Sequence, residues 1–572
     1  MRREVGDSEM GGAPRPVERS ISAAWMGDTP PQRGARTPGR FFVQLVLFLA
    51  LGWLFFATLP ADSTPPIEDP DGSSTAVAEE PADPPPPPTR ARPLPPAPAP
   101  RVAYEPSAAV VRWWESALAD LDRRGIPRET VSIQVDLPDG SSVGWRRLDP
   151  MVPASTLKLV TAAQALDRLG PDYTFRTEVW LDGTLEGNTL RGDVVIVGGG
   201  DPATSSRAYP DDPLAELRPW VEAIRNRGIT VIEGDLVADD RFLAGPARLP
   251  DWPTAQLDRW YSAASGALNL NDNCVDVVLG PVTPGGVSVT LRPPNPKFTI
   301  ENQLKATTLE KEHRFAVDRA PGTWTIRASG KFWNQVTERV AWITVPDPTT
   351  AFLASWRALL EAEGIEVRGT SRRGERSGRA LLLHRTEHTL ASTLPVLLKR
   401  SQNLYGDAIL RVTDRECLGD GSFAAAGARA EEYFGRLSTN ADAIEILDGS
   451  GLARGNQLDA ASLVALLHLV DARDWGPVFW ESLPIAAVDG TLRKRFRDTS
   501  LSGRLRAKTG TLSGVSGLAG GFDVADGSVR FAALTGGKGA RVGRFRSWLD
   551  RQLVALDRAL TPPEPPTTGS SK

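Results

Sequence analysis

Residues 153–160 read Pro153-Ala154-Ser155-Thr156-Leu157-Lys158-Leu159-Val160, a hydroxyl followed three positions later by an amine at the start of an apolar helical pattern. With Ser155 opening the helix, the i,i+3 spacing puts both side chains on one face. A Ser hydroxyl is a weak nucleophile until a neighbouring base takes its proton, and Lys becomes that base if its pKa falls from about 10.4 toward neutrality. Arg stays charged and cannot do this. At a helix N-terminus, the Ser155 backbone N–H also points toward any anion formed on an attacked carbonyl. Alone the match is weak: ten Lys and a Ser frequency of roughly 7% predict about 0.7 accidental S-x-x-K matches, and the chain has a single one.

Composition gives each Lys weight. Only ten of the 66 basic residues are Lys, the other 56 being Arg, and none precedes Lys158. Four His and two Cys leave little room for imidazole or thiolate clusters. The 66 basic residues face 70 acidic ones, a net charge of −4, so there is no surplus to neutralise a phosphate backbone and nucleic acid is not an expected partner. A length of 572 residues implies two or three folded units.

Two further elements extend the first. Lys508 stands in Arg506-Ala507-Lys508-Thr509-Gly510-Thr511, on a predicted strand ending in a Gly-bearing segment. A cationic Lys beside a Thr hydroxyl on a sheet edge holds a carboxylate, and Gly510 lets a ligand approach the backbone. The charge of Lys508 would also depress the pKa of a nearby Lys158. Ser401-Gln402-Asn403 follows the helix-like run 394–398 and offers a hydroxyl to relay a proton and an amide to orient a peptide. S-x-x-K, S-x-N and K-T-G in this order mark the penicillin-binding proteins and serine β-lactamases, which this chain resembles.

The spacings narrow the resemblance. Ser155 and Ser401 are 246 residues apart, and Ser401 and Lys508 are 107 apart. The long first gap is similar to that of the low-molecular-mass class C penicillin-binding proteins, the D-alanyl-D-alanine carboxypeptidase/endopeptidase family called peptidase S13, in which two extra domains follow the nucleophile helix. Gly198-Gly199-Gly200-Asp201-Pro202, Asn271-Asp272-Asn273-Cys274-Val275-Asp276 and Asp448-Gly449-Ser450-Gly451-Leu452-Ala453-Arg454-Gly455-Asn456 also resemble family segments. The resemblance covers about residues 107–560.

The resemblance implies an α/β fold, a penicillin-binding-protein/serine β-lactamase-like transpeptidase domain of antiparallel sheet and helices, with an inserted β-rich region of two small domains. It implies a serine acyl-transfer cycle on peptidoglycan stem peptides, blocked covalently by β-lactams and needing no cofactor or metal. Ser155 is then the nucleophile, Lys158 the base, Ser401 the proton relay, Asn403 the ligand of the substrate peptide group, and Lys508 with Thr509 the carboxylate site beside Gly510. The N–H groups of Ser155 and Thr511 form the oxyanion hole. Arg454, and one of Asp239 or Asp240 with Phe242, fall where family members contact the stem peptide. Gln402 fills the variable position of the second motif, and Ala453 stands where Ser is common. A related amidase or esterase, or an idle wall-bound sensor, are rival readings on the same scaffold.

The remaining chain supplies context. Residues 1–40 form a tail. Residues 41–59 form an apolar run of about 28 Å as a helix, nearly a bilayer core. Arg33, Arg36 and Arg40 precede this run and Asp62, Glu68, Asp69 and Asp71 follow it, so the N-terminus is expected in the cytoplasm and the rest in the periplasm or cell-wall space. An uncleaved anchor is favoured over a signal peptide, whose apolar region is usually about 7–15 residues. Residues 60–106 are Pro-rich, an extended spacer able to hold the folded part up to roughly 100 Å away at about 3.1 Å per residue. The catalytic unit is expected at 107–175 and 380–560, the insertion at 176–379, and a disordered tail at 561–572.

Some features point elsewhere and are set aside. Gly140-Ser141-Ser142-Val143-Gly144 has the spelling of a nucleophile elbow, but it follows Asp139 in a predicted hairpin turn and runs into a strand rather than a helix. His384 and His388 are an i,i+4 pair without a third ligand, so structural roles are expected. Cys274 and Cys417 permit a disulfide outside the membrane without demanding one. Trp180, Trp220, Trp252 and Trp260 are expected to pack rather than to stack on glycan.

Overall fold

The structure is a computed structural model that describes residues 104–204, 212–284, 286–438 and 440–561. The expected N-terminal tail (1–40), membrane helix (41–59), almost all of the spacer (60–106) and the tail beyond Thr561 lie outside the described residues. Among those described, no helix is long and apolar enough to cross a membrane.

The folded chain begins with α1 (Ala108–Arg123), capped by the Ser107 hydroxyl, which accepts from the Val110 N–H at 3.4 Å. Its helical stripe of Val110, Trp113, Ala117 and Leu121 is buried. The strands β1 (Val131–Asp136) and β2 (Ser142–Trp145) follow as the expected hairpin, with Gly140 at φ +83°, a conformation that suits glycine. Gly140-Ser141 thus closes a turn and residues 142–144 run on into β2, while Ser141 Oγ is committed to Asp139 at 2.6 Å. A 3₁₀ turn, Ala154–Leu157, leads into α2 (Lys158–Arg168), buried along nearly its whole length.

The insertion then departs. Its first part comprises β3 (Thr174–Glu186), β4 (Thr189–Gly198), α3 (Arg218–Asn226), β5 (Val231–Ile232) and β6 (Leu236–Asp239). A second part holds β7 (Cys274–Thr283), β8 (Gly286–Arg292), β9 (Thr299–Thr307), β10 (Arg314–Arg319), β11 (Thr325–Trp333) and β12 (Arg339–Thr344). The chain returns to the first through α4 (Pro348–Ala362), β13 (Glu366–Val367), β14 (Ser371–Arg373) and β15 (Leu381–Thr389).

One seven-stranded sheet has the path β13-β5-β4-β3-β15, with β6 on β4 and β14 on β6, and packs on α3 and α4 through Trp220, Phe352 and Trp356. Two three-stranded sheets, β12-β7-β8 and β10-β11-β9, share a separate core including Val277, Ile326 and Phe332. Because β15 pairs antiparallel with β3 as far as Thr389↔Thr174, the inserted sheet extends beyond the boundary expected at 379 from its short β-like runs. The segment 380–389 finishes the inserted sheet instead of opening the catalytic part.

The second catalytic segment contributes α5 (Leu390–Lys399), α6 (Asn403–Glu416), α7 (Phe423–Gly435), α8 (Ala460–Asp471), α9 (Gly476–Glu481), β16 (Arg506–Leu512), β17 (Val515–Val524), β18 (Gly527–Thr535) and α10 (Val542–Leu560). Both chain segments build one antiparallel sheet, ordered β16-β17-β18-β1-β2. Side chains on a strand alternate faces. On β18, Ala532 and Leu534 join the core under α2 and α5–α8, while Phe531 and Ala533 join the core with α1 and α10. Each fully buried Leu or Phe in these layers contributes about 1.5–3 kcal/mol, which ties the two distant segments together.

The strand expected at 503–508 does not stop at Lys508 but runs to Leu512 as β16, because Gly510 lets it pass against the nucleophile turn: a Cβ there would lie 2.5 Å from the Pro153 carbonyl oxygen. Cys274 and Cys417 are buried and are not joined in a disulfide. Trp220 and Trp252 are buried, and Trp260 meets Tyr261 and Trp342 edge-on, so all three pack.

Candidate active site

Ser155 and Lys158 are brought together by the change of helix type. The 3₁₀ turn has three residues per turn, so positions i and i+3 eclipse. Lys158 Nζ lies 3.1 Å from Ser155 Oγ. Ala154, just before the nucleophile, sits at φ +48°, which costs a residue with a side chain roughly 1–2 kcal/mol. It is held there by a loop from the far side of the sequence: a Cβ on Gly451 would lie 2.0 Å from the Ala154 carbonyl oxygen, so only glycine permits this packing. That loop, 448–456, is wound around Asp448, whose oxygens accept from Trp252 Nε1 (3.2 Å), the N–H groups of Gly451 (2.6 Å) and Ala453 (2.7 Å), and Asn456 Nδ2 (3.1 Å).

Lys158 is fully buried. Besides Ser155, its Nζ meets Asn403 Oδ1 at 2.6 Å and the Ser450 carbonyl at 2.5 Å. Burial lowers its pKa to about 8, against the opposing pull of Asp407 and Asp448. As a free amine it can donate to those two oxygens while its lone pair faces the Ser155 hydroxyl.

The second motif lies between α5 and α6. Ser401 takes φ +59°, and its Oγ accepts from Lys508 Nζ at 2.8 Å. Lys508 is also fully buried and donates to the Thr509 carbonyl at 2.8 Å. Burial, and then the charge of Lys158, push its pKa well below the usual lysine value. Asn403 opens α6 and donates from Nδ2 to the Tyr261 carbonyl at 2.7 Å. Gln402 bridges as well: its Oε1 accepts the Asn403 N–H at 2.9 Å, and its Nε2 donates to Asp272 Oδ2 at 2.7 Å.

Tyr261 and Asp272 belong to the insertion, so the inserted region forms a wall of this site. Asn271, Asp272 and Asn273 have φ of +50°, +57° and +51°. Their turn is locked by Asn271 Nδ2 on the Cys274 carbonyl (3.0 Å) and Asn273 Nδ2 on the Ala264 carbonyl and Asn269 Oδ1 (both 2.7 Å). Asn tolerates the left-handed region better than most residues, which accounts for the Asn-Asp-Asn spelling.

β16 is an edge strand. The Ala507 N–H points away from β17, donating to the Pro484 carbonyl at 3.2 Å, and the two-residue period puts the Thr509 and Thr511 N–H groups on that same free edge. Gly510 lies against Pro153 and Thr156 of the nucleophile turn. Thr509 Oγ1 donates to Thr491 Oγ1 at 2.8 Å, and Thr511 Oγ1 accepts from Arg546 at 3.4 Å. Such a site can deprotonate a hydroxyl, receive an oxyanion on backbone N–H groups, hold an anion beside a buried ammonium, and return a proton through a second hydroxyl.

Arg454 reaches the rim, donating to the Ser513 carbonyl just beyond β16 at 2.9 Å. Asp239, Asp240 and Phe242 do not join the cluster. Asp239 pairs with Arg241 at 2.8 Å, Asp240 accepts from Thr349 and Arg373 at 2.7 Å each, and Phe242 packs on the helical core with Arg415 above its ring. The inserted segment that does meet Asn403 is the one ending in Tyr261. Sequence reading also missed Asp407 and Ser450. Asp407 was detectable, since it stands one helical turn after Asn403. His388 is bound to Asp201 at 2.7 Å, and among the described residues no group of three His, Cys, Asp or Glu side chains is placed to hold a metal.

Comparisons with known proteins identify the family. The profile of the D-Ala-D-Ala carboxypeptidase 3 (S13) family matches residues 126–553. A D-alanyl-D-alanine carboxypeptidase of Actinomadura sp. (strain R39) is 28% identical over 405 residues, 68% of this chain and 74% of that protein. The D-alanyl-D-alanine carboxypeptidase DacB of Haemophilus influenzae is 25% identical over 407 residues, 67% of this chain and 83% of that one. The crystal structure of penicillin-binding protein 4 from Haemophilus influenzae superposes with a TM-score of 0.65 at 22% identity, covering 77% of this chain and 99% of that chain, a likeness of fold. The protein belongs to the D-Ala-D-Ala carboxypeptidase 3 (S13) family and is a serine carboxypeptidase hydrolase.

Proposed function

We propose that this chain is a serine D-Ala-D-Ala carboxypeptidase and D,D-endopeptidase of peptidoglycan stem peptides that works through an acyl-enzyme on Ser155 and is acylated by β-lactams. It acts outside the cytoplasmic membrane, tethered by the apolar run at 41–59 and its Pro-rich spacer. The observation that carries the reading is the 3.1 Å contact between Lys158 Nζ and Ser155 Oγ in a buried setting. Ser155 Oγ attacks the carbonyl carbon between two D-alanines as Lys158 takes its proton. The N–H groups of Ser155 and Thr511 receive the oxyanion, and loss of one such donor costs about 3–4 kcal/mol of transition-state stabilisation. Collapse breaks the C–N bond while Ser401 passes a proton to the leaving amine. Water then hydrolyses the ester. Lys508 and Thr509 hold the terminal carboxylate, Asn403 the substrate peptide group, and Arg454 the outer stem peptide.

The test is labelling with a fluorescent penicillin, wild type against Ser155→Ala, alongside D-Ala release from a stem-pentapeptide mimic. Label on wild type, none on the variant, and D-Ala release together support the reading. An unlabelled wild type would sink it, and label without release would favour a sensor.

A further inference from the structure

Helix α6 carries a carboxylate that the acyl-transfer cycle above does not use. Asp407 stands one turn beyond Asn403 and is completely buried. It is placed by direct backbone contact between α6 and the 448–456 loop: a Cβ on Gly406 would lie 2.7 Å from the Gly449 carbonyl oxygen, and one on Gly449 would lie 2.1 Å from that of Gly406. With the two glycines face to face, Asp407 Oδ1 accepts the Gly449 N–H at 3.0 Å, and Thr161 Oγ1 of α2 donates to the Gly449 carbonyl at 2.8 Å. The next residue is Ser450, whose carbonyl holds Lys158 Nζ. The Ser450 hydroxyl interacts with the Asp407 carboxyl, whose Oδ2 has no well-aligned hydrogen-bond partner.

We infer that Asp407 is a positioning residue for the base: it fixes the loop carbonyl that grips Lys158 and supplies the counter-charge for the ammonium formed when Ser155 gives up its proton. This rests on the acyl-transfer reading above.

The neighbouring charges single out this carboxylate. Lys158 on α2, Asp448 in the loop, Arg411 on α6 and, beyond Lys158, Lys508 on β16 are the charged groups around the pair. Asp448 already accepts four hydrogen bonds. Arg411 spends its guanidinium on the carbonyls of Gly421 (2.7 Å), Ser265 (2.5 Å) and Ala244 (2.9 Å) and makes no ion pair with Asp407. Lys508 is a like charge to the new ammonium and opposes it. Asp407 accepts one backbone N–H on Oδ1 and has no well-aligned partner on Oδ2. Burial, then the Asp448 charge, drive its carboxyl upward while Lys158 pulls it down, so Asp407 and Lys158 compete for protons in one dry pocket. Conversely, the charge of Asp407 raises the pKa of Lys158, making it a stronger base than burial alone would leave.

The experiment uses the purified full-length chain and its Asp407→Asn and Asp407→Glu variants, with stopped-flow acylation by a fluorescent penicillin and steady-state D-Ala release. Asn keeps the oxygen that accepts from Gly449 but removes the charge. Lys158 is active as the free amine, and its pKa falls when Asp407 is neutralised, so the acidic limb of the Asn variant moves down by about one pH unit. The plateau rate above that limb falls about tenfold while KM changes less than about twofold, and Glu returns both toward wild type. An Asn limb coincident with wild type would reduce Asp407 to a loop clamp and overturn the inference, as would a Glu variant that behaves like Asn. If the Asn variant does not fold, carboxyl ¹³C NMR of wild type decides. The Asp407 resonance, identified by its loss in Asp407→Glu, must move over the same pH span as the acylation limb, and a flat resonance overturns the inference. An unlabelled wild type would instead mark failure of the acyl-transfer reading itself.

Discussion

Asn403 Nδ2 donates to the carbonyl oxygen of Tyr261 at 2.7 Å, while the other end of the same amide accepts from Lys158. One side chain thereby joins the inserted region to the proposed base. Asn403→Ala removes both bonds at once, leaving the Tyr261 carbonyl unpaired and Lys158 free to turn from Ser155. The expected loss is on the order of 10²-fold in acylation rate, read by stopped-flow labelling with a fluorescent penicillin. A rate within a few-fold of wild type would refute this role.

Gly510 lies where any side chain would meet the Pro153 carbonyl oxygen at 2.5 Å and the Thr156 Cγ2 at 3.2 Å. Gly510→Ala must push β16 away from the nucleophile turn. A destabilisation of about 1–3 kcal/mol is expected in urea unfolding, as for other overpacked sites. A larger loss is expected in acylation, because the carboxylate site and the Thr511 N–H would move relative to Ser155. Unchanged labelling would show that the contact relaxes at no functional cost.

The rate should follow pH in a bell. Burial brings Lys158 to a pKa of about 8, and the free amine is the active form, so kcat/KM for D-Ala release should rise as pH increases through about 8. Lys508 is needed as the ammonium. Burial and then Lys158 hold its pKa well below the ordinary 10.5, so the falling limb should begin below that value. Lys158→Arg, which keeps the charge without a usable base, should abolish acylation. A pH-independent rate would contradict both assignments.

His388 couples stability to pH at the base of the insertion. Burial opposes its charge, but hydrogen bonds to Asp201 and Glu216 outweigh burial and raise its pKa from 6.5 to about 10. A raised folded-state pKa gives stability that is fully present below about 6.5 and is lost as pH climbs through about 10. His388→Gln should therefore cost roughly 1–3 kcal/mol in urea unfolding near neutral pH, with the difference from wild type shrinking above about pH 10. A gap that stays constant with pH would show that the imidazole acts through packing alone.

Much of the architecture was legible where local rules dominate. The hairpin around Gly140 follows from its turn chemistry, and the buried stripe of α1 sits at helical spacing. The three motifs were legible as residue types, and Ser155, Lys158, Ser401, Asn403 and Lys508 do converge. Less legible was where strands stop. β16 outruns its expected end because Gly510 answers to the turn beneath it, and β15 belongs to the insertion because its partner is β3. Asp239, Asp240 and Phe242 find their partners in and around the inserted sheet and along α6, which no short stretch of sequence encodes.

The sequence by itself determined the chemistry available: one nucleophilic Ser beside a Lys, a second Lys before a Gly, and a chain scarce in His and Cys. It also set the three-residue spacing of Ser155 and Lys158, while the tight turn that carries them is held by the distant loop around Gly451. Only the tertiary structure decided what surrounds Lys158. Asn403, Ser450, Asp407 and Asp448 all reach it from the second catalytic segment, and Tyr261 and Asp272 brace that segment from the insertion. The physical reason is that an amine's basicity depends on desolvation and on nearby charge. Both are properties of a packed interior built from segments hundreds of residues apart, which no local stretch of sequence encodes.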